Sequence, residues 1–328
     1  MNWHKTNLAL IAILLLINIF MAIMLVDTYK DTRLIPKEMI SLSRENLESK
    51  GIFFKDDSID KEIKNQKVYT FSDSVLLHET EDGEQSRKSL VNALAFLSGK
   101  SRQNVLDNVQ YFEIPEGITA AITEKDGSTL TSVMISGKTS ESDTDFRYIK
   151  PGFDYNNYAS AIGSIYSYQN DVKSISCPGV ISSFVKNSYD GEIGVLVKSH
   201  QKSGDIQTYL CSYTIDGIEI KDMSTVFCIQ NGKLVFISGN FFFDLPKAEY
   251  SARTVDGVNI LFGIENIPQE ISIVSEHMVY SVLKTENSKN YLVPTWVVSY
   301  QENDTKSTEQ TIKTITFNAL TGKQDIQQ

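Results

Sequence analysis

Hydrophobic residues are most concentrated at the N-terminus, where the 19 residues of the 8–26 segment carry no charge. A helix of that length rises about 28 Å, close to the roughly 30 Å of hydrocarbon in a bilayer. The run is longer than the apolar region of a secretory signal peptide, and no small-x-small cleavage site follows it. The pattern predicts an uncleaved single-pass anchor, with a cleaved signal peptide as the alternative.

Specific side chains in and before this segment suggest how it is used. Trp3 and Lys5 precede the run, where an indole ring and an ammonium group fix a helix at the water–lipid boundary. Asn18 lies near the middle and shares a helical stripe with Leu15 and Ala22. An amide there needs a hydrogen-bond partner, and a small residue one turn away admits a second helix. The stripe predicts contact with a partner's transmembrane helix; a bond from Asn18 to its own helix backbone is the alternative.

The orientation of the anchor is predicted less directly. Lys and Arg are more frequent after the run than before it, which taken alone favours an external N-terminus. Long domains, however, are translocated largely regardless of charge. We expect residues 1–7 to form a cytoplasmic tail, residues 8–26 the transmembrane anchor, and residues 27–328 an extracytoplasmic region.

The extracytoplasmic sequence predicts an α+β fold, because helical patterns are interspersed with runs of consecutive strands. A helix followed by three or four strands recurs, and Pro151-Gly152 predicts a boundary between two lobes, residues 27–150 and 151–328, each an antiparallel sheet with flanking helices. Helices are predicted at 36–50, 86–97, 154–168 and 255–264, and strands at 68–78, 118–124, 129–136, 192–199, 207–214, 225–230, 233–239, 271–283, 291–300 and 311–317.

Composition and charge exclude several classes of protein. The chain has 31 Lys and Arg against 41 Asp and Glu, a net charge of −10, which argues against binding a nucleic-acid backbone. Three cysteines exclude a disulfide scaffold. Cys211 and Cys228 lie in neighbouring predicted strands, so a bridge is conceivable, but three buried and inert thiols, Cys177 included, are the default expectation.

The sequence contains no pattern typical of catalysis. Ser-x-x-Lys pairs such as Ser183–Lys186 and Ser281–Lys284 are about as frequent as chance predicts, and the companion motifs of penicillin-binding enzymes are missing. No Gly-x-Ser-x-Gly or glycine-rich phosphate loop is present, and the four histidines lack metal-ligand spacing. We therefore predict no catalytic residues, no metal site and no cofactor, and a protein that is not an enzyme.

Short motifs at the two ends of the chain carry a family resemblance. At the start they are Trp3-x-Lys5, Asn18-Ile19-Phe20, Ile35-Pro36 and Lys50-Gly51-Ile52, and at the end Pro294-Thr295-Trp296 and Asn318-Ala319-Leu320-Thr321-Gly322. Together they resemble the YycI branch of the YycH/YycI regulatory proteins. The ending is also similar to that of PepSY-type modules. Between these ends, only the layout of elements matches.

The resemblance implies a function. Proteins of this family are single-pass, extracytoplasmic, α+β and non-enzymatic, and sit in the cell membrane of Gram-positive bacteria. They modulate the sensor histidine kinase of a two-component system that controls the cell wall, largely through transmembrane helix contacts and often together with a YycH-type protein. For this chain, it implies that Asn18, Ala22 and Leu15 contact the kinase helices. Independently, Pro294 suits the start of a strand, and we expect Trp296 to be buried in the last sheet. We expect Pro294, Trp296, Asn318 and Gly322 to be structural.

Two other functions remain open at this stage. One is a membrane-anchored PepSY-like inhibitor or chaperone of an extracellular enzyme, whose activity would reside in the domain instead of the anchor. The other is an anchored cell-wall hydrolase, which would need a nucleophile or metal triad in a cleft. We expect partners in the membrane and none among nucleic acids.

Overall fold

The computed structural model describes residues 18, 21, 37–55, 65–72, 83–114, 117–123, 129–136, 145–167, 175–243, 245–264, 270–283, 289–302 and 312–324. The chain forms two compact units, and neither is continuous in sequence. The first consists of residues 1–66, 252–277 and 295–328, and the second of residues 67–251 and 278–294. The lobe boundary expected after residue 150 falls inside the second unit.

The first unit combines short helices with strand pairs. Its described elements include α1 (Lys37–Ser49), β1 (Ile52–Phe54), α6 (Gly257–Ile260) and β14 (Ile312–Asn318). It also contains the first half of β12 (Ile271–Leu283) and the second half of β13 (Lys289–Glu302). β1 pairs with β12 in parallel, and β14 pairs with β13 antiparallel. Buried side chains from these elements form its core, among them Leu47, Ile52, Ile260, Leu261, Trp296, Val298 and Phe317.

An antiparallel sheet organises the second unit. Two four-strand meanders follow one another along the chain and join through their last strands, so that the order is β3-β4-β5-β6-β10-β9-β8-β7. The first meander is β3 (Val109–Ile114), β4 (Gly117–Thr123), β5 (Thr129–Ser136) and β6 (Asp145–Ile149). The second is β7 (Gly194–Ser203), β8 (Ile206–Ile215), β9 (Ile218–Gln230) and β10 (Lys233–Asn240). The recurrence expected from the sequence therefore builds one sheet.

A helix precedes each meander, and both helices pack into one hydrophobic core. α2 (Gly83–Ser98) and the short α3 (Arg102–Asn108) lead into β3, and α5 (Gly179–Ser188) leads into β7. The rings of Phe96 in α2 and Phe184 in α5 meet edge to face with centroids 5.7 Å apart. α4 (Tyr155–Ser164) instead contributes Ile162 to a second, smaller cluster with Val226 and Phe236. The alternation of strand residues thus supplies two apolar faces.

The second unit is completed by segments from distant parts of the chain. β2 (Asn65–Ser72) pairs antiparallel with the first residues of β13, and Ile220 of β9 pairs in parallel with Tyr280 of β12. β11 (Lys247–Arg253) is the neighbour of β2. These pairings join residues far apart in sequence, which is why the second unit is not continuous along the chain.

The α+β class predicted from the sequence is confirmed. Within the described part of the chain, no helix is long and apolar enough to cross a membrane. The predicted anchor at residues 8–26 lies outside that part except for Asn18 and Met21, as does the predicted cytoplasmic tail.

Candidate functional site

The structure describes one of the three residues predicted to contact a membrane partner. Asn18 is helical and exposed, and so is Met21, whose side chain is 59% exposed. Leu15 and Ala22 lie outside the described residues, as do Trp3 and Lys5. Asn18 therefore presents its amide at a helix surface of this chain.

Trp296 belongs to the core of the first unit. Its side chain is completely buried, and its indole Nε1 donates a hydrogen bond of 2.8 Å to the carbonyl oxygen of Val255. Pro294, two residues earlier, is also buried. It lies between the β13 residues that pair with β2 and those that pair with β14, a place where a residue without an N–H is tolerated.

The residues after β14 form a tight turn around Asn318. The Asn318 side-chain oxygen accepts hydrogen bonds from the backbone N–H groups of Leu320 at 2.9 Å and Thr321 at 3.2 Å. The Gly322 N–H donates to the Asn318 carbonyl at 2.8 Å, and the φ of Gly322 is +69°, a value that favours glycine. The motif at this end of the chain is thus a self-capped turn.

This turn and Trp296 both bind the backbone of Val255. The Val255 N–H donates to the carbonyl oxygen of Ala319 at 2.7 Å, while its carbonyl accepts from Trp296. Gly322 faces the Val255 side chain. We call Trp296, Asn318, Ala319 and Gly322 the Val255 clamp. Its contacts are structural, and they place no reactive group at a cavity.

A polar pocket of about 300 Å³ lies in the second unit beside α2 and α5. Its lining includes Lys88, Ser89 and Asn92 of α2, Ser188, Asp190 and Glu192 at the end of α5, and the segment 245–247 before β11. Lys88 forms an ion pair with Asp190. The Asn92 amide donates to the Asp190 carboxylate at 3.2 Å and to the Ser188 carbonyl at 3.5 Å.

The C-terminus of α5 determines how its residues line this pocket. The Tyr189 N–H bonds to the Val185 carbonyl at 3.1 Å, and the Gly191 N–H bonds to the Lys186 carbonyl at 2.9 Å. Asp190 and Gly191 have φ of +50° and +83°, so the chain leaves the helix in left-handed conformation. The Gly191 bond spans six residues, as the 6→1 bond of a Schellman C-cap does. It turns residues 190 and 192 back toward α2.

Ser188 is the unusual member of the lining. Its side chain is only 1% exposed, and its hydroxyl has no hydrogen-bond partner among the described residues. A buried hydroxyl without a partner costs about 1–3 kcal/mol. The pocket thus combines balanced charges, two Lys against one Asp and one Glu, with a polar atom whose hydrogen-bonding capacity is unused.

A hydrogen-bonded group around Asp216 lies in the same unit. The Asp216 carboxylate accepts from Tyr69 Oη and from Lys67 Nζ, the latter at 3.0 Å. These two hydrogen bonds, Tyr69 first, lower the pKa of Asp216, and burial raises the pKa of Tyr69 well above its usual range. The Tyr280 hydroxyl donates to the Lys67 carbonyl at 3.0 Å. The group ties β2 to the turn between β8 and β9.

The cysteines do not form the bridge considered from the sequence. Cys211 pairs with Thr225 in the β8–β9 ladder, whereas Cys228 pairs with Thr208. Because Cys228 is three residues from Thr225, the two thiols are on opposite faces of the sheet. All three cysteines are free, and burial raises the pKa of Cys228 to about 11. A thiol with so high a pKa is a poor nucleophile at neutral pH.

The Ser-x-x-Lys pair on α5 and the possible metal ligands form no site in the described part of the chain. Ser183 and Lys186 are both exposed on α5. Among the residues that the structure describes, no three or more His, Cys, Asp or Glu side chains are arranged to hold a metal ion.

The pocket residues were not identified from the sequence, although signals for them exist. Pro178-Gly179 is a typical helix start, and Ile181, Phe184, Val185 and Ser188 follow the spacing of a buried helical face. Recognising α5 would have placed Asp190-Gly191 at its C-terminus. The pairing of Asp190 with α2 has no local sequence signal.

Comparisons with known proteins assign no family. No protein-family model and no curated protein matches the chain. Among solved structures, it is similar to the 1.45 Å crystal structure of an uncharacterized protein from Eubacterium rectale ATCC 33656. The sequence identity is 12% and the TM-score 0.41, over 84% of this chain and 89% of that one.

Proposed function

We propose that this protein is a non-enzymatic, membrane-anchored regulator of a sensor histidine kinase in a two-component system that controls the cell wall. The anchor is the 8–26 segment, with the N-terminus in the cytoplasm and the α+β region outside the cell membrane. The observation that carries the proposal is Asn18, a helical and exposed amide within an otherwise apolar segment. Such an amide favours contact with another transmembrane helix.

Two further features support this proposal. The terminal motifs resemble those of YycI proteins, which act on the kinase through their transmembrane helices, often with a YycH-type protein. The C-terminal part of that resemblance falls on the Val255 clamp, whose contacts stabilise the first unit. On this view the domain motif maintains the fold, and the regulatory contact is made by the anchor.

Replacing the anchor tests where the regulatory contact is made. The full chain would be expressed with residues 8–26 exchanged for an unrelated single-pass helix of equal length, beside the sensor kinase of the same organism. We expect cysteine cross-linking between the two proteins to fall to background, while membrane insertion and the amount of protein stay unchanged. Cross-linking that survives the exchange would contradict the anchor-mediated mechanism and favour a domain-mediated inhibitor or chaperone.

A further inference from the structure

The pocket beside α2 and α5 has the chemistry of a ligand site. We propose that it binds a small zwitterion, a free amino acid or a short peptide, through lining residues of opposite charge. Glu192 supplies a carboxylate for the ligand's ammonium group, and Lys247 an ammonium for the ligand's carboxylate. The proposal goes beyond the regulatory function and does not depend on the anchor.

The ion pair already present determines which groups remain for a ligand. Asp190 is engaged by Lys88 and by the Asn92 amide at 3.2 Å. These three side chains therefore form a fixed polar wall between α2 and the end of α5. Glu192 and Lys247 are exposed lining residues of opposite charge, and neither belongs to that wall.

Ser188 supplies the second, independent observation. It lines the pocket, it is almost completely buried, and its hydroxyl has no partner in the described part of the chain. Nearly all buried hydroxyls in proteins have a hydrogen-bond partner. A polar ligand that reaches this depth would supply the missing one, since a hydroxyl both donates and accepts.

The composition of the pocket selects the class of ligand. A phosphate or another simple anion would face Asp190 and Glu192 as well as the lysines, so its binding would be opposed by like charges. None of the described lining residues is aromatic, so a sugar ring would find no aromatic face there. A zwitterion has no net charge and matches the balanced charges of the lining. The volume of about 300 Å³ suits a small ligand.

Isothermal titration of the full chain in detergent micelles tests the proposal with defined probes. The probes are L-alanine, L-alanyl-L-alanine, and the dipeptide blocked as its N-acetyl or its C-terminal amide form. We expect saturable binding of an unblocked probe and at least about tenfold weaker binding of each blocked form, because each loses a charge-assisted hydrogen bond. Comparing alanine with the dipeptide distinguishes a free amino acid from a peptide end.

Matched variants test which lining residue binds each charged group of the ligand. Glu192→Gln removes the partner of the ligand's ammonium group, so this variant should bind the free and the N-acetylated dipeptide equally. Lys247→Gln removes the partner of the ligand's carboxylate, so this variant should bind the free and the amidated dipeptide equally. Ser188→Ala should weaken the unblocked probe. Lys233→Gln, at an exposed lysine outside the pocket, is the control and should bind like the parent chain. Circular dichroism would establish that each variant folds.

Three results would overturn the inference. The first is no saturable binding of any probe up to millimolar concentration. The second is equal affinity for blocked and unblocked dipeptide in the parent chain. The third is a Glu192→Gln variant that still prefers the free over the N-acetylated dipeptide as the parent does, or a Lys247→Gln variant that still prefers the free over the amidated one. None of these results bears on the anchor exchange, so the regulatory proposal is tested separately.

Discussion

Val255 is the residue on which the C-terminal motif acts. Both of its backbone hydrogen-bonding groups are paired: the N–H donates to the Ala319 carbonyl, and the carbonyl accepts from the Trp296 indole. The next residue, Asp256, caps α6 by accepting from the Asn259 N–H at 2.9 Å. A buried backbone group that loses its partner is costly. The clamp therefore fixes the start of α6, and Trp296 stabilises the fold of the first unit.

Substitutions of Trp296 should separate its packing from its hydrogen bond. Trp296→Ala is expected to lower the free energy of unfolding of the first unit by about 3–5 kcal/mol, because a large buried side chain is removed. Trp296→Phe keeps most of the ring but leaves the Val255 carbonyl unpaired, so a loss of about 1–3 kcal/mol is expected. Denaturant unfolding of the full chain in detergent measures both.

An exposed aromatic residue provides the control. Tyr250→Ala removes a ring that is 51% exposed and should change the unfolding midpoint little. If Trp296→Ala unfolds at the same denaturant concentration as the parent chain, Trp296 does not stabilise the core, and the clamp interpretation is wrong.

Asp216 makes one contribution to stability depend on pH. Its pKa is lowered by the Tyr69 and Lys67 hydrogen bonds, so its carboxylate binds a proton less readily in the folded chain than in the unfolded one. A group of this kind stabilises the fold above its unfolded pKa, about 3.9 for Asp, and loses that contribution as the pH falls through its folded pKa. The contribution should therefore be present at pH 6 and lost in acid.

Comparing the parent chain with Asp216→Asn tests this dependence. Asparagine is suited to the backbone of this position, where φ is +51°, so the substitution removes the charge without adding backbone strain. At pH 6 the variant should unfold at a lower denaturant concentration, and the difference should shrink as the pH falls below about 3.9, the unfolded pKa of Asp. A difference that stays constant from pH 6 to pH 2 would show that the carboxylate charge is not its source.

At the scale of elements, the pairing of β9 with β10 depends on Gly239. This residue is opposite Thr225, and a Cβ built there would lie 2.7 Å from the Thr225 Cα and would also contact the Ser224 carbonyl. Its φ of +142° is rarely adopted by other residues. The neighbouring Asn240 side chain accepts from the Ser224 N–H at 3.0 Å. The end of this ladder therefore depends on close backbone approach.

Two glycine-to-alanine substitutions should have opposite effects. Gly239→Ala is expected to destabilise the second unit by at least about 1–3 kcal/mol, since the backbone is strained and the new Cβ meets other backbone atoms. Gly179→Ala is the matched control, because Gly179 begins α5 without a positive φ and has no described atom within 4 Å of its Cβ position. It should stabilise by about 0.4–1 kcal/mol.

Thermal unfolding followed by circular dichroism distinguishes these effects. A lower melting temperature for Gly239→Ala together with an unchanged or higher one for Gly179→Ala is the expected result. If both variants melt like the parent chain, the β9–β10 ladder can move apart at Gly239 without loss.

Elements with strong local signals could be predicted from the sequence. The hairpin from β9 to β10 turns at Asn231-Gly232, and both residues have the positive φ that an Asn-Gly turn requires. The helix predicted at 36–50 is observed at Lys37–Ser49. In contrast, the sequence analysis predicts no helix at α5, although its apolar spacing is regular, and the strand predicted at 192–199 continues to Ser203 in β7.

The pocket could not be predicted because its residues meet only in three dimensions. Lys88 and Asp190 are about a hundred positions apart in the sequence, and they meet because α2 and α5 lead two meanders of the same sheet. Neither unit is continuous in sequence for the same reason, since β12 and β13 each contribute residues to both units. Long-range pairing is set by the whole fold and not by local pattern.

For the whole molecule, the proposed function assigns different tasks to the anchor and to the folded region. The two units contain the described core, the Val255 clamp and the pocket, whereas the predicted anchor has a single amide side chain in its sequence, Asn18. If the kinase is contacted through the anchor, substitutions there should alter association without changing the unfolding of the domain. Additivity between such distant sites is the general rule.

Asn18 and Ala22 give the quantitative form of this expectation. A hydrogen bond between transmembrane helices contributes about 0.6 kcal/mol on average and up to about 1.7, so Asn18→Leu should weaken association with the kinase by up to about twentyfold without abolishing it. Ala22→Leu should add a steric loss. Ala9→Leu, about 180° around a helix from Asn18, is the matched control and should be silent. Quantitative cross-linking in membranes measures all three, and equal association for Asn18→Leu, Ala22→Leu and the parent chain would exclude this stripe as the contact.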